Sequence, residues 1–260
     1  MSAVLAHDFA RACGGRFLLR IEDIDPGRTR EEHLAGIEED LRWLGLGWDG
    51  PIVRQSQRLQ HYAEALERLK ARGLVYPCFC TRADIARSAA APHGAEGALY
   101  PGTCRGLADT DLARPHAWRL DVPTAMAEAG PLTWHDAHMG TVHAQPQLLG
   151  DVVLARKDAP TSYHLAVTID DAAQGVTDVI RGRDLFLSTH VHRLLQALLG
   201  LPAPRYHHHA LMIGPDGQRL AKRHGALSLA DLRARGVDPT GLVDAIRQGG
   251  APLGFRLSHD

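Results

Sequence analysis

The sequence carries almost no net charge. Twenty-nine Lys and Arg stand against 30 Asp and Glu, a formal balance of -1, with a pI near 7.0. A chain so balanced exerts no long-range pull on a polyanion, so any nucleic-acid contact has to come from a local basic face. No run of ~18 or more apolar residues occurs, which excludes an apolar helical membrane span. The opening Met1-Ser2-Ala3-Val4-Leu5-Ala6-His7-Asp8 lacks the basic start and long apolar stretch of a secretory signal. Internal repeats are missing too. Cysteines are few: of four, Cys78, Cys80 and Cys104 cluster while Cys13 is isolated. In the cytoplasmic setting these absences predict, such clustering favours a metal over disulfides.

What remains is ordinary globular composition, 45% hydrophobic and 23% charged over 260 residues, enough to bury a substantial core. Residues 2–12 fit a helix closed by Gly14-Gly15, and Arg16–Ile24 reads as a strand. Thr29 with Glu32 three residues on is a capping box for a helix striped by Leu34, Ile37, Leu41 and Leu44. Ser56 is expected to start the next helix, with Leu59, Tyr62, Ala63, Leu66 and Leu69 on one face and Gly73 as its stop. Texture changes after Tyr76, where an Ala/Gly-rich stretch follows the cysteines and short strand-like pieces lie around Trp118–Val122. Apolar, β-rich runs resume at Val152–Ala155, His164–Ile169 and Asp178–Ile180. A helix over Leu185–Leu199 ends at Gly200, Arg205–Ile213 reads as a strand, and Ser228 and Asp238 cap two closing helices. The expected fold is α/β, a Rossmann-like parallel sheet covered by helices with an inserted subdomain. The expected division is 1–76 and 150–213 for the catalytic domain, 77–149 for the insertion, and 214–260 for a lysine loop and closing helices.

Five places carry chemistry. Cys78-Phe79-Cys80 with Cys104 offers three soft ligands for tetrahedral zinc, which would also staple a core-poor insertion. On general chemistry His93 is the natural fourth ligand and Tyr100 a less common one. Glu22, Asp23 and Asp25 end a β-rich run, where an acidic cluster can hold an ammonium group or be a solvated turn. Arg181 follows Val179-Ile180, where a strand-end arginine can grip a carboxylate through two parallel hydrogen bonds. Tyr163, before His164-Leu165-Ala166-Val167, can orient a substrate or belong to the core. Lys222, in the glycine-bracketed Gly217–Gly225 loop, can neutralise charge developing on phosphates or be part of a basic turn. His207-His208-His209 resembles a metal tract, but strand alternation would split its side chains between faces.

Taken together, Arg20–Pro26, Tyr76–Cys80 with Tyr100–Cys104, Gly150–Ala155, Tyr163–Asp184 with Asp170-Asp171-Ala172-Ala173-Gln174-Gly175, and Arg219–Arg223 resemble the catalytic domain of class I glutamyl-tRNA synthetases. The resemblance runs to about Leu229. It is strongest to the shortened glutamyl-Q tRNA(Asp) synthetase branch, because only about 35 residues follow the lysine loop, too few for a helical anticodon-binding domain.

The resemblance implies activation of L-glutamate with ATP (and Mg2+) and transfer to queuosine in the anticodon of tRNA(Asp). It implies zinc on Cys78, Cys80, Tyr100 and Cys104, glutamate contacts from Glu22, Tyr163 and Arg181, and an ATP contact from Lys222. A monomer without membrane contact would follow. The alternatives are a glutamyl-tRNA synthetase catalytic fragment and a non-catalytic zinc-bearing RNA-binding module. Two departures accompany the resemblance. Ala221 stands where the lysine loop usually has serine, and the family's first strand with its HxGH-type motif has no counterpart. The corresponding expectation is an in-frame segment of roughly 20 to 30 residues upstream of Met1, since a central parallel strand cannot be dropped without stranding its neighbours' backbone groups; the alternative is a decayed or repurposed paralogue.

Overall fold

The structure is a computed structural model, described here for residues 1–25, 27, 30–81, 83–85, 99–107, 110–214, 228–253 and 255–258. His93, Thr29 and the whole lysine loop, Lys222 included, lie outside the described residues.

The chain opens with α1, Ser2–Ala12. Gly14 at φ 63° ends it, and Gly15 N–H closes on Ala10 O at 2.8 Å, a left-handed stop that glycine adopts without a Cβ penalty. The expected strand over Arg16–Ile24 contracts to β1, Arg20–Ile21, paired in parallel with β2, Val53–Arg54. Side chains take over at both flanks. Asp49 accepts from Phe17 N–H at 2.8 Å, and Asp23 accepts from both Ser56 N–H and Ser56 Oγ at 2.8 and 2.7 Å. Ser56 therefore does not start the next helix; it sits in the 3-10 turn Gln55–Gln57. α2 covers Glu31–Trp43 and α3 covers Leu59–Ala71.

β3 (Val75–Cys78), β4 (Ala117–Leu120) and β7 (Val153–Ala155) form an antiparallel sheet in the order β3-β4-β7. Beyond β4 the chain turns at Asp121, whose carboxylate caps α4, Val122–Ala129, through Thr124 N–H. The hairpin β5 (Thr133–Asp136) and β6 (Gly140–His143), within the stretch assigned to the insertion, adds to the sheet of β8 (Asp178–Gly182) and β9 (Arg205–His209) in the order β6-β5-β9-β8. β8 and β9 run in parallel with Arg181 beside His208.

The expected strand over His164–Ile169 is instead the middle of α5, Tyr163–Ala173. Leu165, Ala166 and Val167 are all buried, and a short run buried on every side gives no period by which to tell strand from helix. The run expected over Arg205–Ile213 breaks after His209. Its second part, β10 (Met212–Ile213), pairs antiparallel with β11 (Arg256–Leu257). α6, Phe186–Leu199, ends at left-handed Gly200 as expected, and α7 (Leu229–Ala234) and α8 (Pro239–Arg247) are capped by Ser228 and Asp238.

Two apolar cores support this frame. One joins α3, β4, β7, α5 and α6 through Tyr62, Leu69, Leu120, Leu154, Leu165 and Leu194. The other joins α1, β1, α2 and α8 through Val4, Ile21, Leu34, Leu41 and Val243. The parallel pairs β1-β2 and β8-β9 are not hydrogen-bonded to each other. A cavity of about 370 Å³ lies between them, lined by Phe17 and Leu18 on one side and Thr177, Asp178 and Ile180 on the other, with Phe9 and Ala10 of α1. No helix among the described residues is long and apolar enough to cross a membrane.

Candidate active site and cysteine cluster

Strand alternation sorts β9. Tyr206 and His208 are buried and their rings stack, 5.9 Å apart and 6° from parallel. His207 turns to the other face, where it meets the Asp178 carboxylate at 2.9 Å and the Phe9 ring, and His209 bonds Ser2 Oγ at 2.8 Å. The three histidines therefore do not converge, as alternation predicts.

Arg181, beside His208 in register, lies over the Tyr206 ring with 5.2 Å between guanidinium carbon and centroid. Its Nη1 donates to the Tyr163 hydroxyl at 3.2 Å. Its Nη2 donates to Thr189 Oγ1 at 2.6 Å and to Leu185 O at 3.2 Å. Tyr163 occupies the first turn of α5, aimed at the end of β8. Burial pushes its phenol up to about 12, with the Arg181 charge pulling the other way, so it is a neutral hydroxyl near pH 7.

Glu22 leaves the end of β1 with its side chain 46% exposed and one oxygen 3.9 Å from Arg20 Nη2. Surrounding protein pushes its carboxyl above the ordinary value, Arg20 and Arg181 hold it down, and Asp171 and Asp170 push it up. Glu22, Tyr163 and Arg181 thus share one electrostatic neighbourhood. Arg20 is itself clamped by Asp171 at 2.8 Å and Gln174 at 2.9 Å.

The other acidic residues of the first segment serve the frame. Asp23 holds the turn at Ser56, and Asp25 pairs with Arg156 at 3.1 Å. Asp170 is fully buried and accepts from Gln55 Nε2 at 3.0 Å, Arg58 Nε at 2.6 Å and the Tyr62 hydroxyl at 2.6 Å. It locks α5 against α3 while its neighbour Asp171 faces the site. On the other side of Arg181 a cavity of about 360 Å³ is lined by Met1, Ser2, Gly182, Asp184, His209 and Met212.

Sequence reasoning missed the polar groups packed around Arg181: Asp136, His164, Thr189, His192 and His208. All but His164 are nearly inaccessible to solvent. Their density along His190-Val191-His192 and the Tyr206–His209 strand was the available signal. A buried histidine has to find a partner, and here several find the same arginine or one another.

The three clustered thiols converge. Cys78, Cys80 and Cys104 Sγ atoms lie within 4.8 Å of one another, and Cys80 and Cys104 are 3.5 Å apart. A zinc-thiolate bond of ~2.3 Å implies tetrahedral sulfur-sulfur edges of about 3.8 Å, so the spacing suits that ion. The Tyr100 hydroxyl stands 3.7 Å from Cys80 Sγ and accepts from Cys104 N–H at 2.8 Å. Burial pushes the Tyr100 phenol strongly up and raises Cys80 to about 11. Without a cation these groups are protonated, and a divalent ion reverses that balance.

The cluster is tied to the body at two points. Arg105 reaches buried Asp151, which also accepts from the Tyr76 hydroxyl at 2.5 Å. Lys157 Nζ donates to Phe79 O and Cys80 O at 2.7 and 3.0 Å.

The family profile described as tRNA synthetases class I (E and Q), catalytic domain, matches residues 1–255. The chain belongs to that family. Among relatives of this class I synthetase chain, the glutamyl-Q tRNA(Asp) synthetase of Rhodobacter capsulatus is 52% identical over 250 residues, 92% of this chain and 90% of that protein. The Nocardia farcinica protein of the same name is 49% identical over 92% of this chain and 75% of its own length. Glutamate--tRNA ligase 1 of Ruegeria pomeroyi is 37% identical over the whole chain but only 59% of the ligase. The crystal structure of glutamate-tRNA synthetase from Elizabethkingia anophelis superposes with a TM-score of 0.70 at 28% identity, covering 86% of this chain and 49% of that one. This class I synthetase chain is a ligase with the α/β catalytic domain of its family, and class I synthetases draw on ATP.

Proposed function

We infer that this synthetase activates L-glutamate with ATP and transfers it to queuosine in the anticodon of tRNA(Asp). The observation that carries this is the contact of Arg181 at the end of β8 with Tyr163 of α5, with Glu22 just after β1 in the same electrostatic neighbourhood, which offers a cation for a carboxylate and a carboxylate for an ammonium group. In the reaction a carboxylate oxygen of glutamate attacks the α-phosphorus of ATP and pyrophosphate leaves. The acyl-adenylate then passes its glutamyl group to the RNA and AMP leaves. ATP, with Mg2+, is assigned to the cavity beyond Gly182, with Lys222 neutralising its phosphates. Zinc held by Cys78, Cys80 and Cys104, with Tyr100 in the fourth position, would be structural, a staple for the inserted subdomain assigned to 77–149. A monomer working in the cytoplasm completes the reading.

A second reading is a glutamate--tRNA ligase activity, which the 37% identity to such a ligase favours. Glutamate-dependent ATP–pyrophosphate exchange, followed by transfer assays on tRNA(Asp) with and without queuosine and on tRNA(Glu), tests both. Transfer restricted to queuosine-bearing tRNA(Asp) is the expected result. Transfer to tRNA(Glu) gives the second reading, and exchange that ignores glutamate refutes both.

A further inference from the structure

A guanidinium has five N–H groups, and those of Arg181 are surrounded by protein acceptors on every side. Nε donates to His208 Nε2 at 3.2 Å. Nη2 serves Thr189 and Leu185, and Nη1 serves Tyr163 while facing His192 Nδ1 at 3.5 Å. A substrate carboxylate therefore has to displace something. Nη2 is held at 2.6 Å by Thr189; Nη1 has the longest contact, 3.5 Å to His192, and its bond to Tyr163 matches the 3.2 Å of Nε to His208, so what sets the two sides apart is how firmly each acceptor is itself held.

His208 can accept from Nε only if its proton sits on the other nitrogen. Its Nδ1 lies 2.7 Å from Asp136 Oδ2, with both side chains at most 2% exposed, so the network assigns the proton to Nδ1 and the lone pair to Nε2. Asp136 is in turn fixed by its own turn, Oδ1 accepting from His138 N–H at 2.9 Å and Met139 N–H at 3.0 Å. Burial drives the His208 imidazole down to about 4 despite its hydrogen bond to Asp136, with the Arg181 charge adding to the fall. The ring stays neutral near pH 7.

We propose that His208, with its tautomer set by Asp136, is a positioning residue for glutamate recognition. It pins the Nε side of Arg181, leaving the Nη1 side as the part of the guanidinium that the substrate carboxylate takes over. The inference rests on the reading that Arg181 receives a glutamate carboxylate.

The test is pyrophosphate-exchange kinetics on the full chain with His208→Leu, His208→Gln and Asp136→Asn. A hydrogen bond to a charged group corresponds to roughly 10- to 100-fold in affinity. His208→Leu is therefore expected to raise KM for glutamate by that factor while kcat and KM for ATP stay within about threefold. His208→Gln, whose Oε1 accepts in place of Nε2, is expected to recover most of the loss. A glutamate KM that does not move, a parallel rise in KM for ATP, or a Gln variant no better than Leu overturns the proposal.

If the Leu variant does not fold, Asp136→Asn decides, with a several-fold rise in glutamate KM at unchanged kcat expected and no change refuting. If the wild type shows no glutamate-dependent exchange, the functional reading fails, and nitrogen NMR judges the positioning separately. An Arg181 Nε–H signal protected from exchange in the wild type, kept in His208→Gln and lost in His208→Leu supports the contact. An unprotected wild-type signal refutes it.

Discussion

Lowering the pH from 7 toward 5 is expected to cost this protein stability, through histidines that the fold keeps uncharged. His208 falls from an ordinary 6.5 to about 4, chiefly because it is buried. His164, buried and facing the Arg181 charge, falls to about 4 as well. His192, hydrogen-bonded to His164 at 3.2 Å, is shifted the same way. In the unfolded chain each of these takes up a proton near 6.5, whereas in the folded chain His208 and His164 do so only near 4 and His192 well below its ordinary value. Between those values the unfolded state binds more protons, so stability is fully present above pH 6.5 and drains as pH falls through the window.

One such histidine gives a slope of about 1.4 kcal/mol per pH unit and about 3 kcal/mol across the whole window. That is a large share of the 5–15 kcal/mol typical of a domain. The raised carboxyls of Glu22 and Asp171 work in the opposite sense as pH falls. The lowered carboxyl of Asp136 contributes only below about 4, so the range from 7 to 5.5 isolates the histidines best. Urea denaturation at half-unit steps of pH is the assay. The His208→Gln variant should lose one proton's worth of slope, about 1.4 kcal/mol per pH unit below 6. Parallel stability curves for wild type and variant would refute the buried-neutral assignment.

Purified protein is expected to carry one zinc per chain. Metal analysis after Cys78→Ser together with Cys80→Ser should show none, and retention would exclude the site. Lys222→Ala is expected to lower adenylate formation by roughly 100-fold or more, the usual loss for one preorganised charge-stabilising group, with glutamate binding changed far less; unchanged turnover would reduce the loop to a basic turn. Gly182→Ala would put a methyl 2.8 Å from Leu211 Cδ2 and against Asp184, a crowding worth about 1–3 kcal/mol. Thermal melts of that variant should fall, and an unchanged melting temperature would show that the end of β8 yields freely.

Helices with caps and one apolar stripe were the most legible elements. α1 with its glycine stop, α6 with Gly200 and the closing helices capped by Ser228 and Asp238 lie where their residues indicate. Legibility failed where burial erased the period, as over His164–Ile169, or where side chains replaced backbone pairing, as at Asp23 and Ser56. At the site, position at the edges of apolar runs marked Glu22, Tyr163 and Arg181 as candidates, and only the family resemblance turned them into expected glutamate contacts. Their supporting shell was invisible because Asp136, His192 and His208 come from three separate elements, and only folding brings them around one guanidinium. The cysteine cluster was readable from spacing alone. Its attachment through Asp151, Arg105 and Lys157 was not, because each of those contacts spans dozens of residues.

The run His207-His208-His209 is degenerate as a ruler. Slide β9 by one position and a histidine still arrives beside Arg181, while another still points to the opposite face. The chemistry that would punish such a slip in most strands, an apolar side chain driven into water, is largely muted here. The alignment must be marked at the strand's beginning. Tyr206 is buried, with its hydroxyl accepting from Gln196 Nε2 at 3.1 Å, and Arg205 makes a two-bond pair with Asp178 on the neighbouring strand. A histidine at position 206 would extend the uniform stretch and blur that mark. The one ring in the strand that cannot be mistaken for its neighbours decides which imidazole meets Asp136.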